Sequence, residues 1–242
     1  MSALVQTDPI AVQQRFWSDW NTTTREKTLN RISLDQRKFV LDWLKRQGRT
    51  DLKMIEVGCG AGWLCSDLTP FGALTATDFC AEVLERAQAR LPQVNFVAGD
   101  FMELDFGEAQ YDVVICLEVL AHVADQPAFM ARLARLLRPG GVLMLATQNA
   151  PVLQRWNKVP PPKPGNLRTW VDRHQLRALL EPQFEVDEIS SLTPLANQGI
   201  MRLVNSEKLN RPIRLLFGDA LERLKERAWL GWTLMTLARK PA

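Results

Sequence analysis

Residues 54–62 join a short apolar run to three alternate glycines, Met54-Ile55-Glu56-Val57-Gly58-Cys59-Gly60-Ala61-Gly62. An apolar run of that length ending in glycine reads as a strand. Glycine at every second position supplies backbone that turns with positive φ and lets a ligand come close, and a helix starting there offers unpaired N–H groups. The chain is thereby confined to folds in which strand, glycine turn and helix follow one another, the unit of an α/β sheet. A dinucleotide loop reads G-x-G-x-x-G or G-x-G-x-x-A, its last small residue allowing tight packing around a pyrophosphate. Here that position is Trp63. The indole argues against a pyrophosphate and leaves a different pattern, acidic-x-G-x-G-x-G.

The rest of the chain continues the alternation. Strands are predicted at Met54–Val57, Ala73–Thr77, Val94–Ala98, Val113–Leu117, Val142–Thr147, Phe184–Ile189 and Trp232–Ala238, with helices over Ala81–Arg90, Pro127–Leu137 and His174–Leu180. Pro139-Gly140-Gly141 is expected to end the second of these helices. Upstream, Ser33 and Gln36 have the spacing of a capping box, followed by an apolar stripe of Phe39, Val40, Trp43 and Leu44 that stops at Gly48. Five of the fourteen prolines lie between Pro151 and Pro164, so that stretch is expected to be a loop or lid without a regular helix. Residues 205–228 read as one or two amphipathic helices interrupted at Gly218.

Composition excludes several classes. In 242 residues, 46% of them hydrophobic, no stretch approaches the roughly 18 to 20 consecutive apolar residues that cross a bilayer. The first twenty residues lack the basic start and apolar core of a secretory signal, so a cytoplasmic address is the default expectation. A net charge of +3, scattered along the chain, gives no nucleic-acid footprint. Cys59, Cys65, Cys80 and Cys116 fit no zinc or C-x-x-C spacing and read as reduced, structural thiols; no metal site is expected. Eight Trp stand against one Tyr and two His, which leaves two candidates for a histidine base.

At the glycine loop the sequence resembles the class I S-adenosylmethionine-dependent methyltransferases, strongly over Met54 to Gly141 and more weakly beyond. Further elements carry the likeness: Thr77-Asp78-Phe79 at the end of the second strand, Gly99-Asp100-Phe101 after the third, Tyr111 to Glu118 as the fourth strand, and the Arg138-Pro139-Gly140-Gly141 turn. The resemblance implies a Rossmann-like, seven-stranded, mostly parallel sheet with an antiparallel last strand and helices on both faces, plus N-terminal helices and a helical cap insertion. It implies S-adenosyl-L-methionine as cofactor, held by Glu56, Gly58, Cys59, Gly60, Gly62, Asp78, Phe79, Asp100, Phe101 and Leu117. Asp78 would accept from the ribose hydroxyls and Asp100 from the adenine amino group. Backbone of Phe101 would read a ring nitrogen, and the Leu117 carbonyl would meet the methionine ammonium. From the residues alone, Asp78 and Asp100 also suit turn formation or helix capping.

On the acceptor side, Cys116 to Val123 is similar to the histidine-bearing segment of ubiquinone-biosynthesis O-methyltransferases, the methyltransferase type 11 branch. His122, at the carboxyl edge of the fourth strand, is the candidate base for a hydroxyl or phenol; capping near Asp125 or filling the cleft wall is the alternative. His174, beside Asp172 at a helix start, is the weaker candidate. Glu118 could touch the ammonium or a metal, but a carboxylate next to a strand end is more often hydrogen-bonded locally, and one carboxylate with one histidine makes no metal site. Trp17, Trp20, Trp156 and Trp170 are candidate walls for a lipophilic or aromatic acceptor, or indoles that simply cover surface. No Asn/Asp-Pro-Pro-aromatic motif follows the fourth strand, which argues against base or glutamine methylation.

The predicted organisation is an N-terminal helical lid, 1–50, and a methyltransferase domain, 51–242, whose insertions 150–170 and 198–229 cap the acceptor side. The stretch Arg202–Arg227 carries seven basic against four acidic residues and reads as a packed cap or as a weak membrane-surface contact. The leading function is O-methylation of a small molecule. N-, C- or carboxyl-methylation, a nicotinamide-dependent oxidoreductase and a non-catalytic cofactor-binding protein are the alternatives; Trp63 and the antiparallel-looking final strand count against the oxidoreductase. Oligomeric state stays open.

Overall fold

The structure is a computed structural model that describes residues 9–25, 29–163, 165–205 and 219–242. Its centre is one seven-stranded sheet: β1 (Leu52–Val57), β2 (Gly72–Asp78), β3 (Asn95–Ala98), β4 (Tyr111–Leu117), β5 (Leu137–Gln148), β6 (Glu185–Leu192) and β7 (Thr233–Arg239). The spatial order is β3-β2-β1-β4-β5-β7-β6. The first five strands pair in parallel, while β7 runs antiparallel between β5 and β6. The predicted fold is borne out, down to the reversed last strand.

Side-chain alternation divides the core into two layers. Met54, Val113, Ile115, Val142 and Met144 point to one face, where α2 (Arg31–Gln47) brings Val40, Trp43 and Leu44. Ile55, Val57, Val114, Leu143 and Leu145 point to the other, against α5 (Gln126–Leu136) and α7 (Arg173–Leu180). Strands buried on both faces must be apolar at every position, which is why they read as continuous runs. The remaining α-helices among the described residues are α1 (Pro9–Trp20), α3 (Cys65–Leu68), α4 (Ala81–Arg90), α6 (Ala150–Trp156), α8 (Gly199–Val204) and α9 (Ala220–Arg227).

Three local expectations are corrected. The cap of α2 is Asn30, whose side chain accepts from the Ser33 N–H at 2.9 Å; Ser33 and Gln36 lie inside the helix and are buried, so they form no capping box. Pro139-Gly140-Gly141 does not stand outside the sheet: β5 starts at Leu137 opposite Tyr111 and runs through all three residues. Gly140, at φ +74, donates to the Lys240 carbonyl, and Lys240 donates to that of Gly141, so the C-terminal strand end accommodates the turn. The proline-rich stretch does open with a helix, α6, because Pro151 sits in the first turn, where a missing N–H is not needed. Most of the expected amphipathic stretch 205–228 lies outside the described residues; its end is α9.

Candidate functional site

Strand order reverses between β1 and β4, and at such a point the loops leaving adjacent strands diverge and open a crevice at the carboxyl edge. The glycine loop leaves β1 there. Gly58, Gly60 and Gly62 all adopt positive φ, at +75°, +56° and +71°. A side chain on Gly58 would sit 2.1 Å from a methyl of Val119, at the end of β4, so glycine is required by contact as well as by conformation. Gly58 and Cys59 donate to the Thr77 carbonyl at 2.8 and 3.1 Å, which pins the loop to the end of β2.

Asp78 completes that junction. One carboxylate oxygen accepts from the Gly60 N–H at 2.8 Å and the other from the Cys80 N–H at 3.2 Å. Burial raises its pKa from the ordinary carboxylate value, against the pull of those hydrogen bonds. Among the described residues no cation pairs with it, so both oxygens keep acceptor capacity for hydroxyl donors. Glu56 is buried below the loop, its carboxylate accepting from the Cys65 thiol at 3.1 Å. All four cysteines are free and buried, and burial pushes the Cys59 and Cys116 thiols up, as expected of structural thiols.

After β3, Asp100 closes a turn by accepting from the Met102 N–H at 2.8 Å. The buried Phe101 ring packs against Phe129, centroids 5.4 Å apart, and Phe106 at 6.1 Å. Arg132 clamps this loop from α5, donating to the carbonyls of Phe101, at 2.7 Å, and Leu104.

At the end of β4, Leu117 is buried and Glu118 adopts φ +65, a strained conformation for a residue with a side chain. Glu118 Oε1 accepts from Gln36 Nε2 at 2.5 Å and Thr233 Oγ1 at 3.1 Å, tying α2 to β7. The next residues form a short 3₁₀ turn ending at His122. Its Nδ1 lies 2.9 Å from the Leu167 carbonyl, which fixes the proton on Nδ1 and leaves Nε2 as the acceptor. Burial lowers the His122 pKa, outweighing that carbonyl, with Arg168 adding to the depression. Asp125 caps α5 through the Ala128 N–H, so capping is not the task of His122. Gln126, buried, donates at 3.0 Å to both the Leu120 and Thr169 carbonyls and so holds the histidine turn against the 167–171 segment.

The N-terminal helix lies across both halves. Trp17 packs against the buried cluster of Ala61, Cys80 and Val83 on the glycine-loop side, as Phe79 does, and its indole meets His122 edge-on with centroids 4.6 Å apart. Trp20 stands edge-on to Trp17 at 5.8 Å. Beyond it, the buried Asn21 opens a π-helical turn, Asn21–Arg25, with Oδ1 directly over Gly60, 2.7 Å from where a β-carbon would lie. Trp156 lies elsewhere, on a cleft of about 370 Å³, and Trp170 carries the Arg168 guanidinium 4.9 Å over its ring. His174 is exposed at the start of α7, where Asp172 provides the cap. No group of three or more His, Cys, Asp or Glu suited to a metal occurs among the described residues.

Against known proteins, the family described as "Methyltransferase domain" matches residues 55–145, the span from β1 to β5 that carries the glycine loop, Asp78, Asp100 and His122. Over those residues the chain is similar to a methyltransferase domain. A curated relative, the ubiquinone biosynthesis O-methyltransferase of Rhodopseudomonas palustris strain HaA2, is 31% identical over 145 residues, 54% of this chain and 56% of that protein. The chain thus spans about half the length of the curated relatives it matches. Among solved structures, the N-methyltransferase NodS of Bradyrhizobium japonicum WM9 in complex with S-adenosyl-L-homocysteine is similar over 97% of this chain and 100% of that one, with TM-score 0.64 and 17% identity. The [4+2]-cyclase SpnF is similar too, over 85% of this chain and 82% of that one, with TM-score 0.57 and 16% identity. At such identities the likeness is one of fold, and a cyclase on this methyltransferase fold illustrates why the reaction must be argued from the site.

Asn21, Arg132 and Gln126 are not among the residues expected from sequence, and Gln36 is expected only as part of a capping box. Asn21, in the run Asn21-Thr22-Thr23-Thr24 after Trp20, has a faint polar signal; Arg132 and Gln126 are single polar residues inside a helix and carry none.

Proposed function

We propose that the protein transfers a methyl group from S-adenosylmethionine to a hydroxyl of a small, lipophilic or aromatic acceptor. The observation that carries this reading is that one indole, Trp17, packs against the buried cluster of Ala61, Cys80 and Val83 on the glycine-loop side and also meets His122 edge-on. A cofactor site and a proton acceptor therefore share one cover. The curated O-methyltransferase relatives support oxygen as the methylated atom.

In this reading Gly58, Gly60 and Gly62 bring backbone against the cofactor, with Glu56 and Cys59 as the buried base of the loop. Asp78 accepts from the ribose hydroxyls, Phe79 packs beside the sugar, and Asp100 and the Phe101 backbone face the adenine. The Leu117 carbonyl receives the ammonium. Bound there, the cofactor supplies an electrophilic methyl on a sulfonium whose thioether leaves neutral, so no anion needs stabilising at that end. The protein's part is alignment, exclusion of water and a competent nucleophile. His122 Nε2 takes the acceptor's proton, and its lowered pKa keeps the imidazole neutral at physiological pH. Residues 1–50 act as the lid, with Trp17 and Trp20 as acceptor walls; Trp156 and Trp170 belong to the outer cap.

Isotope-labelled S-adenosylmethionine incubated with fractionated metabolite extract, followed by mass analysis of the labelled product, identifies acceptor and atom together. A label on nitrogen or carbon overturns O-methylation. Calorimetry showing NAD bound in preference to S-adenosylmethionine overturns the whole reading.

A further inference from the structure

Trp156 lines a cleft of about 370 Å³. It lies between α6, the start of α7 and the turn before β7, and is lined by Arg155, Trp156, Asp172, Arg173, His174 and Trp229 among others. Two indoles wall it, and each carries a guanidinium over its face: Arg155 over Trp156 at 4.9 Å and Arg173 over Trp229 at 4.6 Å.

Stacking engages the flat face of a guanidinium and leaves its N–H donors, which lie in the plane, to find partners at the edge. Arg155 has no carboxylate partner among the described residues. Arg173 uses Nε to donate to His174 Nε2 at 3.2 Å and has no carboxylate partner either. The one acidic lining residue, Asp172, caps α7 through Oδ1, which accepts from the His174 and Gln175 N–H groups, both at 2.8 Å; its charge offsets one arginine and leaves the lining net positive by one. The cleft thus presents two oriented cations, unused edge donors and aromatic surface.

Its frame is held in place. Trp229 adopts φ +61, and the buried Asn149 at the end of β5 donates to the Trp229 and Gly231 carbonyls at 3.1 and 2.8 Å. A strained, side-chain-bearing residue kept by a buried amide is the pattern of a pre-organised site rather than of a slack surface turn.

We propose that this cleft binds a small aromatic anion, a carboxylate or phosphate on an aromatic body, with the anionic group taken by Arg155 and Arg173 and the body against Trp156 and Trp229. Binding to it does not depend on the methyl-transfer reading, because it is measured without cofactor.

The test is calorimetric titration of the full chain with phenyl phosphate, phenylacetate, neutral phenylacetamide and inorganic phosphate. Phenyl phosphate and phenylacetate bind, while phenylacetamide and inorganic phosphate bind at least about tenfold more weakly. R155Q and R173Q each weaken the two aromatic anions about tenfold and leave the melting temperature and the S-adenosylmethionine affinity unchanged. Failure of both aromatic anions to bind, or affinity undiminished in the R155Q/R173Q double variant, overturns the proposal. Inorganic phosphate binding as tightly as phenyl phosphate overturns the aromatic part of it.

Discussion

The Trp17 indole meets the His122 imidazole edge-on, centroids 4.6 Å apart, so the N-terminal helix rests on the one histidine at the carboxyl edge of the sheet. The same indole packs against the buried cluster of Ala61, Cys80 and Val83 beside the glycine loop. Removing it uncovers both sides. Trp17→Ala is expected to weaken S-adenosylmethionine about tenfold and to lower stability by about 1–2 kcal/mol, the loss of a half-buried ring. Calorimetry and urea melts read the two effects; unchanged affinity would show that α1 is no lid.

Asp78 is expected to tie S-adenosylmethionine affinity to pH. Burial raises its folded-state pKa from the ordinary carboxylate value, against the hydrogen bonds that lower it. Affinity for S-adenosylmethionine is expected to rise with pH through that raised value, because the ribose hydroxyls need the ionised acceptor. Stability of the free protein goes the other way: a raised folded pKa contributes stability that is present below the unfolded pKa and lost as pH rises through the folded one. Asp78→Ala is expected to weaken the cofactor by about a hundredfold or more. An affinity that is flat across pH, or intact in the alanine variant, removes this carboxylate from the site.

His122 has a depressed pKa, chiefly from burial. The methyl-transfer rate is expected to rise with pH through a value below the ordinary 6.5. Its stability contribution is present above the unfolded pKa and is lost as pH falls through the depressed one. His122→Ala should cost about a hundredfold to ten-thousandfold in rate while cofactor affinity holds. Full-rate transfer by that variant at every pH would leave His122 a packing residue.

Gln36 is fully buried and donates to Glu118 at 2.5 Å across 82 residues of chain. Gln36→Leu removes the donor and is expected to destabilise the fold by about 1–3 kcal/mol. Denaturant midpoints test it, with Thr233→Val, which removes the other donor to Glu118, expected to move them in the same direction. A midpoint that does not shift in Gln36→Leu would mean that the link contributes nothing.

Gly58→Ala places a methyl where Val119 already stands and forces φ +75 on a residue that resists it. The expected cost is about 1–3 kcal/mol, with cofactor binding lost alongside. Equal stability and binding in the variant would mean that the loop relaxes freely.

The sheet was legible because its rules are local. β1, β4 and the paired part of β5 are buried on both faces and so read as largely apolar runs, with Glu56 and Asp112 as the buried exceptions. Asp78 and Asp100 could be placed at strand ends because the strands themselves were. The failures have local causes as well. Ser33 and Gln36 had the spacing of a cap, but Asn30 took that position and Gln36 was needed inside. Proline density suggested an unbroken loop, yet the first proline fell in the one turn of a helix that tolerates it.

By itself, then, the sequence determined the α/β class, the strand order's raw material and the glycine loop with its flanking acids, since strand burial, positive φ and helix starts each impose a residue type over a few neighbours. Only the tertiary structure decided which distant side chains meet. Trp17 and Trp156 are alike as indoles in irregular context, but packing sent one to His122 and the other to a cleft beside Trp229. Such pairings arise from how layers stack on the sheet, and side-chain contact across layers leaves no period or spacing in the chain to read.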